Sequence, residues 1–311
     1  MKLLVVGGYG VGLSFYTQRA PTAGETVSGA RLEEHHGGKA SNQAVAAARL
    51  GAHVSLFSAV GEDERAKLAR TLWHEEGINA DGVISIPGNT MVGCIITEAS
   101  GENRIVLANG VLDDLTPALL QDRAAAFEEA DIVLISCEIP EDTIRAAIRL
   151  GREANCRVIL NPAPAPQLTE ADWANLDLIT PNYTEACQLL GVGEAVGEAA
   201  DTAEDIASQL AQRHHVDVIL TDGARGAVVV SKDSPCKAHR VDPIVPQQIV
   251  DTTGAGDTFN AGVAAALLYG HDLTFASSFG CLVGSVAVES EGVIPALPTA
   301  QLIKNRFNIT L

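Results

Sequence analysis

The sequence has few basic residues, with 21 Lys and Arg against 39 Asp and Glu and a formal net charge of −18. A nucleic-acid partner requires a basic face that neutralises phosphates, and binding to an anionic membrane surface requires a cluster of Lys and Arg. The composition provides neither. We therefore predict no nucleic-acid partner and no membrane association.

Long apolar runs are also missing. No stretch approaches the length of a membrane-spanning helix, and the apolar N-terminal segment is broken by Gly7 too early for a secretory signal. The six cysteines include no Cys-x-x-Cys pair, and the His pairs at 35–36 and 214–215 lack further spaced ligands, so a metal-ligand role is not expected. We predict a cytoplasmic protein with buried thiols in a reducing environment. The cysteines are Cys94, Cys137, Cys156, Cys187, Cys236 and Cys281.

Apolar residues make up 47% of the chain, arranged in alternating strand-like and helix-like segments. Short β-branched runs predict strands buried on both faces of a parallel sheet, and most are separated by segments of helical period. We predict an α/β fold: a doubly wound, mostly parallel sheet flanked by helices. The predicted strands are residues 2–7, 54–59, 132–136, 158–160, 178–180 and 218–221, and the predicted helices include 40–50 and 62–76.

Two segments interrupt this alternation. Residues 13–34 have alternating, strand-like character with a turn, and residues 90–108 contain a hairpin whose turn is Ser-Gly-Glu-Asn at 100–103. We expect the two segments to form a small antiparallel β lid over the mouth of the main sheet. The remaining residues, 1–12, 35–89 and 109–311, then form the α/β core.

Residues 251–257 read Asp-Thr-Thr-Gly-Ala-Gly-Asp and lead into an Ala-rich apolar run at 258–269, which we predict to be a helix. Glycines let a ligand approach the backbone, and the unpaired amides of a first helical turn bind anions. A carboxylate at that junction, Asp257, suits proton abstraction from a hydroxyl while the amides stabilise phosphoryl charge. The pattern also fits an ordinary turn in which Asp257 only favours the helix dipole.

Two other glycine-rich stretches lack common nucleotide-binding motifs. The motif Gly-x-Gly-x-x-Gly could start at Gly7 or at Gly8, but Tyr9 or Leu13 then stands where a glycine is required. The residues that follow do not open a helix either, which argues against a dinucleotide site. Residues 37–41, Gly-Gly-Lys-Ala-Ser, lack the first glycine and the final Ser or Thr that a Walker A loop requires at its fixed spacing. Together with Asn42, this second stretch suits a neutral, hydroxyl-rich ligand, or is a tight turn with a capping amide.

The stretches at residues 37–44 and 251–262, together with three further motifs, resemble the ribokinase-like (PfkB) family of carbohydrate kinases. The resemblance extends over nearly the whole chain. The motifs are residues 37–44, 161–165 (Asn-Pro-Ala-Pro-Ala), 180–185 (Thr-Pro-Asn-Tyr-Thr-Glu), 221–226 (Thr-Asp-Gly-Ala-Arg-Gly) and 251–262. The resemblance implies an ATP-dependent kinase that phosphorylates a hydroxyl of a sugar or sugar-like substrate. Asp257 is then the general base, and the anion hole consists of the amides of Gly254, Ala255 and Gly256. Phosphoryl transfer mainly requires such alignment and charge stabilisation.

The resemblance implies three further sites. The nucleotide site comprises Asn182, Glu185, Thr221, Gly223 and Gly226, with the first two ordering Mg²⁺ and its waters. The sugar pocket comprises Gly38, Lys39, Asn42, Glu138 and Asp257. A monovalent-cation site, for K⁺, comprises Asp251, Thr253 and Gly292. Members of the family often pair through the lid, so the resemblance also implies a homodimer.

Several of these residues have simpler interpretations when each is taken alone. The spacing of Asn182 and Glu185 is also that of a helix capping box. Glu138 fits a solvated turn before a helix, and residues 221–223 fit a turn that ends a strand. The site interpretation is favoured by their occurrence together after predicted strands, because open α/β sheets bind ligands at the carboxyl ends of their strands.

The chain departs from the family after the first strand. Where ribokinase members place an Asn and, two residues later, an Asp that grip the sugar hydroxyls, this sequence has Gly10 and Gly12. Each missing hydrogen bond should weaken ribose binding by about 1.5–3 kcal/mol, and two glycines are expected to leave open space. We therefore predict a bulkier or differently decorated substrate, such as a nucleoside, a larger sugar or a phosphorylated sugar whose anionic group meets Lys39. The alternatives are a nucleoside kinase of the same family and a catalytically weak nucleotide- or sugar-binding regulatory protein.

Overall fold

The computed structural model describes residues 1–100, 102–193 and 202–311. Gly101, in the predicted hairpin turn, lies outside the described residues. The strands are β1 (Lys2–Val6), β2 (Gly10–Thr17), β3 (Arg31–Gly37), β4 (His53–Phe57), β5 (Ala59–Val60), β6 (Ile84–Ser85), β7 (Met91–Glu98), β8 (Asn103–Ala108), β9 (Ile132–Ser136), β10 (Arg157–Asn161), β11 (Leu178–Ile179), β12 (Asp217–Thr221), β13 (Ala227–Val230) and β14 (His239–Val241).

The helices alternate with these strands along much of the chain. They are α1 (Lys39–Arg49), α2 (Glu64–Glu75), α3 (Pro117–Gln121), α4 (Ala125–Glu128), α5 (Glu141–Glu153), α6 (Glu170–Trp173), α7 (Tyr183–Leu190), α8 (Ala203–His214), α9 (Ala255–Leu268), α10 (Leu273–Ala287), α11 (Val293–Ala296) and α12 (Ala300–Phe307). Among the described residues, no helix combines the length and the apolar character that crossing a membrane requires.

The main sheet has eight strands in the order β14-β13-β12-β11-β10-β9-β1-β4. Six neighbouring strands of this sheet are parallel, namely β4, β1, β9, β10, β11 and β12. The strands β13 and β14 continue the sheet in antiparallel pairing. This confirms the predicted doubly wound fold.

Alternate side chains of each central strand enter opposite layers of the core. In β1, Leu3 and Val5 pack on the side covered by α1, α9 and α10, whereas Leu4 and Val6 pack on the side covered by α5 and α8. All four are buried, so the strand reads as a continuous apolar run, as expected for a sheet covered by helices on both faces.

The predicted small sheet is present, with strand order β3-β2-β7-β8. Its two outer pairs are antiparallel, whereas the central pair, β2 with β7, is parallel. The strands β2 and β3 start and end somewhat outside the predicted lid segment 13–34, and β7 and β8 lie within 90–108.

The prediction of buried thiols is correct for three of the six cysteines. Cys137, Cys156 and Cys187 are buried, Cys94 and Cys281 are partly exposed, and Cys236 is exposed, because it lies in the loop between β13 and β14.

Candidate active site

The helix α9 begins at Ala255, earlier than predicted, so that Asp257 lies within its first turn. Gly254, which precedes the helix, has φ +81°, and a Cβ there would lie 2.6 Å from a methyl carbon of Val293. Glycine is therefore required at this position. The amide of Ala255 makes a long hydrogen bond to Thr252 O at 3.3 Å, whereas the amides of Gly256 and Asp257 donate to no described residue. Those two amides are available to an anion.

Two amide side chains from α1 hold the carboxylate of Asp257, which is only 7% exposed. Asn42 Nδ2 donates to Oδ2 at 2.8 Å, and Gln43 Nε2 donates to Oδ1 at 3.1 Å. Burial raises the pKa of Asp257, while the charge of Lys39 and the two hydrogen bonds act in the opposite direction. A buried carboxylate with a raised pKa and oriented oxygens has the properties of a general base.

The support of Asp257 continues through residues to which the sequence assigned no role. Gln43 Nε2 also donates to Asn161 Oδ1 at 3.0 Å, and Asn161 Nδ2 donates to the carbonyl of Thr180 at 3.2 Å. The Thr180 hydroxyl donates to Asn260 Oδ1, and Asn260 Nδ2 donates to Gly256 O at 2.8 Å. This chain of bonds joins the ends of β10 and β11 to the first turn of α9. All four of its side chains belong to the recognised motifs, but nothing in the sequence indicated that they contact one another.

A cavity of about 150 Å³ opens beside Asp257. It lies where β10, β11 and β12 end, which is the edge that open α/β sheets use for ligands. Its lining residues are Lys39, Asn161, Ala163, Thr180, Asn182, Glu185, Thr221, Gly254, Gly256, Asp257 and Asn260. Five different predicted segments therefore meet around one opening.

Lys39, Glu185 and Asp257 provide the charge of the cavity lining, and Glu138 contacts the backbone of Lys39. The backbone amide of Lys39 donates to Glu138 Oε2 at 2.6 Å. Burial alone would lower the pKa of Lys39, but Asp257, Glu138 and Glu185 together raise it, so the ammonium stays charged. Burial raises the pKa of Glu138 to about 7, although the Lys39 charge acts against this rise. Burial likewise raises the pKa of Glu185.

Asn182 and Glu185 form the capping box that their spacing allows. Asn182 Oδ1 accepts from the Glu185 amide, and Glu185 Oε2 accepts from the Asn182 amide, both at 2.8 Å. The same two residues line the cavity, so the capping interpretation and the ligand interpretation are compatible. Thr221 lies beside them, because its amide donates to Pro181 O at 2.9 Å.

The glycines predicted for the nucleotide site lie beyond the cavity lining. Gly223 is exposed, and Gly226 packs against the end of β14, where a Cβ would lie 2.2 Å from Val241 O. Directly before Gly223, the buried Asp222 accepts from Arg225 at 2.6 and 2.9 Å and from Arg240 at 3.1 Å. Burial opposes ionisation of Asp222, but the hydrogen bonds from both arginines lower its pKa. These ion pairs stiffen the turn after β12.

The three residues predicted for a monovalent-cation site come together. Asp251 Oδ1 accepts from the Thr253 amide at 2.9 Å, and Oδ2 accepts from the Gly292 amide at 3.1 Å. Although partial burial opposes ionisation, these bonds lower the pKa of Asp251 and keep the carboxylate charged. Oxygen ligands from a carboxylate and nearby carbonyls suit a hard cation.

The expectation that Gly10 and Gly12 open space is wrong. A Cβ on Gly10 would lie 2.4 Å from Met91 Cε, and a Cβ on Gly12 would lie 2.2 Å from His35 Cε1. Larger side chains from neighbouring strands already fill both positions. Gly38, by contrast, has φ +88°, and a Cβ there would lie 2.5 Å from Tyr9 Cα, so this glycine is needed for the turn into α1.

The model of the pfkB family of carbohydrate kinases matches residues 1–300. The chain belongs to this family. It is 35% identical to a ribokinase of Haemophilus influenzae over 89% of both chains, and 33% identical to a ribokinase of Bacillus subtilis over 96% of both. A solved ribokinase of Arabidopsis thaliana, in complex with ribose and ATP, superposes with a TM-score of 0.88 at 28% identity over 97% of both chains. The protein is therefore an ATP-dependent kinase of the ribokinase family that transfers phosphate to a sugar hydroxyl.

Proposed function

We propose that this kinase transfers the terminal phosphoryl group of ATP to a hydroxymethyl hydroxyl of a sugar, with Asp257 as the general base. One observation carries the proposal. Two amide side chains hold a buried carboxylate in the first turn of α9, beside amides of the same turn that donate to no described residue. A base and an anion site thus share one cavity.

Different residues of this chain serve different parts of the phosphoryl transfer. Asp257 takes the proton of the acceptor hydroxyl, so that its oxygen attacks as a stronger nucleophile. The amides at the start of α9 stabilise the charge that develops on the moving phosphoryl group, and they need no reorganisation because the helix fixes them. The ammonium of Lys39 adds positive charge at the cavity wall. Alignment within a small cavity removes much of the entropy cost of bringing the two substrates together.

We assign the nucleotide to the part of the cavity lined by Asn182, Glu185 and Thr221. Mg²⁺ usually takes one or two carboxylates together with phosphate oxygens and water, and when bound it would neutralise phosphate charge. Glu185 fits that requirement, since its carboxylate lies at the cavity and one of its oxygens caps α7. Among the described residues, no group of three or more His, Cys, Asp or Glu is arranged to hold a metal ion by itself. We assign K⁺ to the loop formed by Asp251, Thr253 and Gly292.

We also propose that the protein forms a homodimer through the lid. The strand β8 exposes three consecutive apolar side chains, Ile105, Val106 and Leu107, at 59%, 71% and 57%. Leu32 on β3 is 54% exposed as well. Such an apolar edge strand is a liability for a monomer and fits an interface with a second copy.

The test is ADP release over a panel of pentoses, hexoses, their phosphates and nucleosides, with wild type and Asp257→Asn. We expect wild type to turn over at least one sugar, and the variant to lose 10²–10⁴-fold in kcat, roughly the contribution of a general base. Asp272→Asn is the matched control, because it makes the same change at an exposed helix cap, where Asn serves as well as Asp.

If Asp257→Asn keeps more than a tenth of the wild-type kcat, Asp257 is not the general base. Turnover of nucleosides alone would identify the nucleoside kinase instead. Absence of turnover over the whole panel, with sugar binding retained, would favour the regulatory protein. Equal thermal midpoints of the two Asn variants and wild type establish that the comparison reports chemistry and not unfolding.

A further inference from the structure

The carbonyl of Gly256 accepts a hydrogen bond from a side chain, which an α-helix does not require. Asn260 Nδ2 donates to Gly256 O at 2.8 Å, and Asn260 is 3% exposed. This carbonyl belongs to the same peptide group as the amide of Asp257, which donates to no described residue. A donor at the carbonyl fixes the plane of the peptide and polarises its N–H. Asn260 therefore acts on one of the amides that are available to an anion.

The side chain of Asn260 is itself held from the main sheet. The hydroxyl of Thr180, a residue that is 1% exposed, donates to Asn260 Oδ1. Because the Gly256 carbonyl can only accept, the two bonds leave one orientation for the Asn260 amide. By contrast, the Thr258 hydroxyl makes the common bond of a threonine to the carbonyl four residues earlier, Gly254 O, at 2.8 Å within the helix. The Asn260 bond instead ties the first turn of α9 to the end of β11.

Thr180 also connects to the carboxylate of Asp257, through a second branch. The Thr180 carbonyl accepts from Asn161 Nδ2 at 3.2 Å. Gln43 Nε2 then joins Asn161 Oδ1 to Asp257 Oδ1. The base is thus anchored through the carbonyl of Thr180, and the anion site through its hydroxyl. Thr180, Asn161 and Asn260 all line the cavity.

We propose that Asn260 and the hydroxyl of Thr180 form a positioning pair that keeps the Asp257 amide directed at the transferred phosphoryl group. The inference rests on the proposed function. Asn260 acts through the peptide between Gly256 and Asp257, and Thr180 acts through Asn260. A donor that is fixed before the reaction stabilises the charge that develops in the transition state more than it stabilises the bound substrates. Loss of the pair should therefore lower kcat and leave KM nearly unchanged.

The test measures kcat, together with KM for ATP and for the sugar that wild type turns over best in the ADP-release panel. We expect Asn260→Leu and Thr180→Val each to lose about tenfold in kcat. This is less than the roughly 10²–10³-fold cost of removing a whole anion-hole donor, because the Asp257 amide remains. Thr180→Ser keeps the hydroxyl and should recover most of the kcat. Asn305→Leu makes the same change at an exposed position of α12, and this control should keep the wild-type kcat.

Neither substitution is expected to unfold the protein. In Asn260→Leu the Thr180 hydroxyl can bond to Leu160 O, which lies 3.3 Å away, so it keeps a partner. Valine has nearly the shape of threonine, so Thr180→Val tests the pair even if Asn260→Leu does not fold.

Two further measurements separate positioning from a general loss of structure. The double variant Asn260→Leu/Thr180→Val should lose no more kcat than Asn260→Leu, because both side chains act on one peptide. The acid limb of the kcat/KM profile should stay at its wild-type pH, since the hydrogen bonds to the Asp257 carboxylate come from Asn42 and Gln43.

Four results would overturn the inference and leave the kinase intact. They are an unchanged kcat in both Asn260→Leu and Thr180→Val, a loss in Thr180→Ser as large as in Thr180→Val, a rise in KM that accounts for the whole effect, and losses that multiply in the double variant. Failure of the proposed function has a different signature, equal ADP release by wild type and Asp257→Asn.

Discussion

The side chain of Gln43 donates from one nitrogen to Asp257 Oδ1 at 3.1 Å and to Asn161 Oδ1 at 3.0 Å. It is fully buried, and its carbonyl oxygen has no partner among the described residues. A buried acceptor without a partner is costly, so the orientation of this amide is set by its two donated bonds. Gln43 therefore fixes the direction of the carboxylate relative to the end of β10.

We expect Gln43→Met to lower kcat by about tenfold, since Asp257 loses one of its two orienting bonds. The hydrogen bond from Gln43 lowers the pKa of Asp257, so its removal raises that pKa further. The acid limb of the kcat/KM profile should consequently move to higher pH. Rates measured between pH 5 and 8 check this. Gln301→Met, on the exposed face of α12, is the control, and an unmoved acid limb would contradict a positioning role.

Glu138 should make stability depend on pH. Burial raises the pKa of Glu138 from its ordinary 4.5 to about 7. The folded state thus binds a proton that the unfolded state has released, and the stabilisation is complete below about pH 4.5 and lost as the pH rises through 7. The effect is on the order of 3 kcal/mol. Glu138→Gln removes the dependence and should gain stability relative to wild type at pH 8.

Urea unfolding of both proteins at pH 5 and pH 8 measures this difference. Glu141→Gln, a change at the exposed start of α5, serves as the control, and its difference from wild type should be the same at both pH values. A Glu138→Gln variant that is no more stable than wild type at pH 8 would show that Glu138 is ionised without cost in the fold.

Local patterns in the sequence predicted the fold well. Apolar β-branched runs identified the strands of the main sheet, because a strand covered on both faces must be apolar throughout. Helix ends were predicted less well: α9 begins at Ala255, before the apolar run, because the left-handed Gly254 directly precedes its first turn, and composition does not record that backbone geometry. Lys39, Glu185 and Asp257 belong to three different motifs, and all three line one cavity.

Contacts between distant segments could not be predicted in this way. The bond from Gln43 to Asn161 joins residues 118 positions apart, and neither residue type indicates such a partner. The absence of a side chain at Gly12 was visible in the sequence, but its filling by His35 depends on the register of β2 with β3. A one-residue shift would turn His35 to the opposite face.

Asp251 should make activity depend on a monovalent cation. We expect replacement of KCl by choline chloride to lower kcat of wild type severalfold, since the loop before α9 loses the charge that orders it. In Asp251→Asn one of the two bonds to the Thr253 and Gly292 amides is lost, and the response to K⁺ should largely disappear. ADP release at constant ionic strength measures both. A variant as responsive to K⁺ as wild type would place the cation elsewhere.

The exposed strand β8 provides the last prediction. Val106 is 71% exposed on the edge of the lid, and Val106→Asp would place an unpaired charge in the proposed dimer interface. We expect the variant to sediment as a monomer at concentrations where wild type is a dimer, with Kd raised at least a hundredfold, about 2.7 kcal/mol. Val245→Asp makes the same change at a residue that is 83% exposed outside the lid, and it should leave the dimer intact. Wild type that sediments as a monomer, or a Val106→Asp dimer as tight as wild type, would show that the apolar edge of β8 does not form the interface.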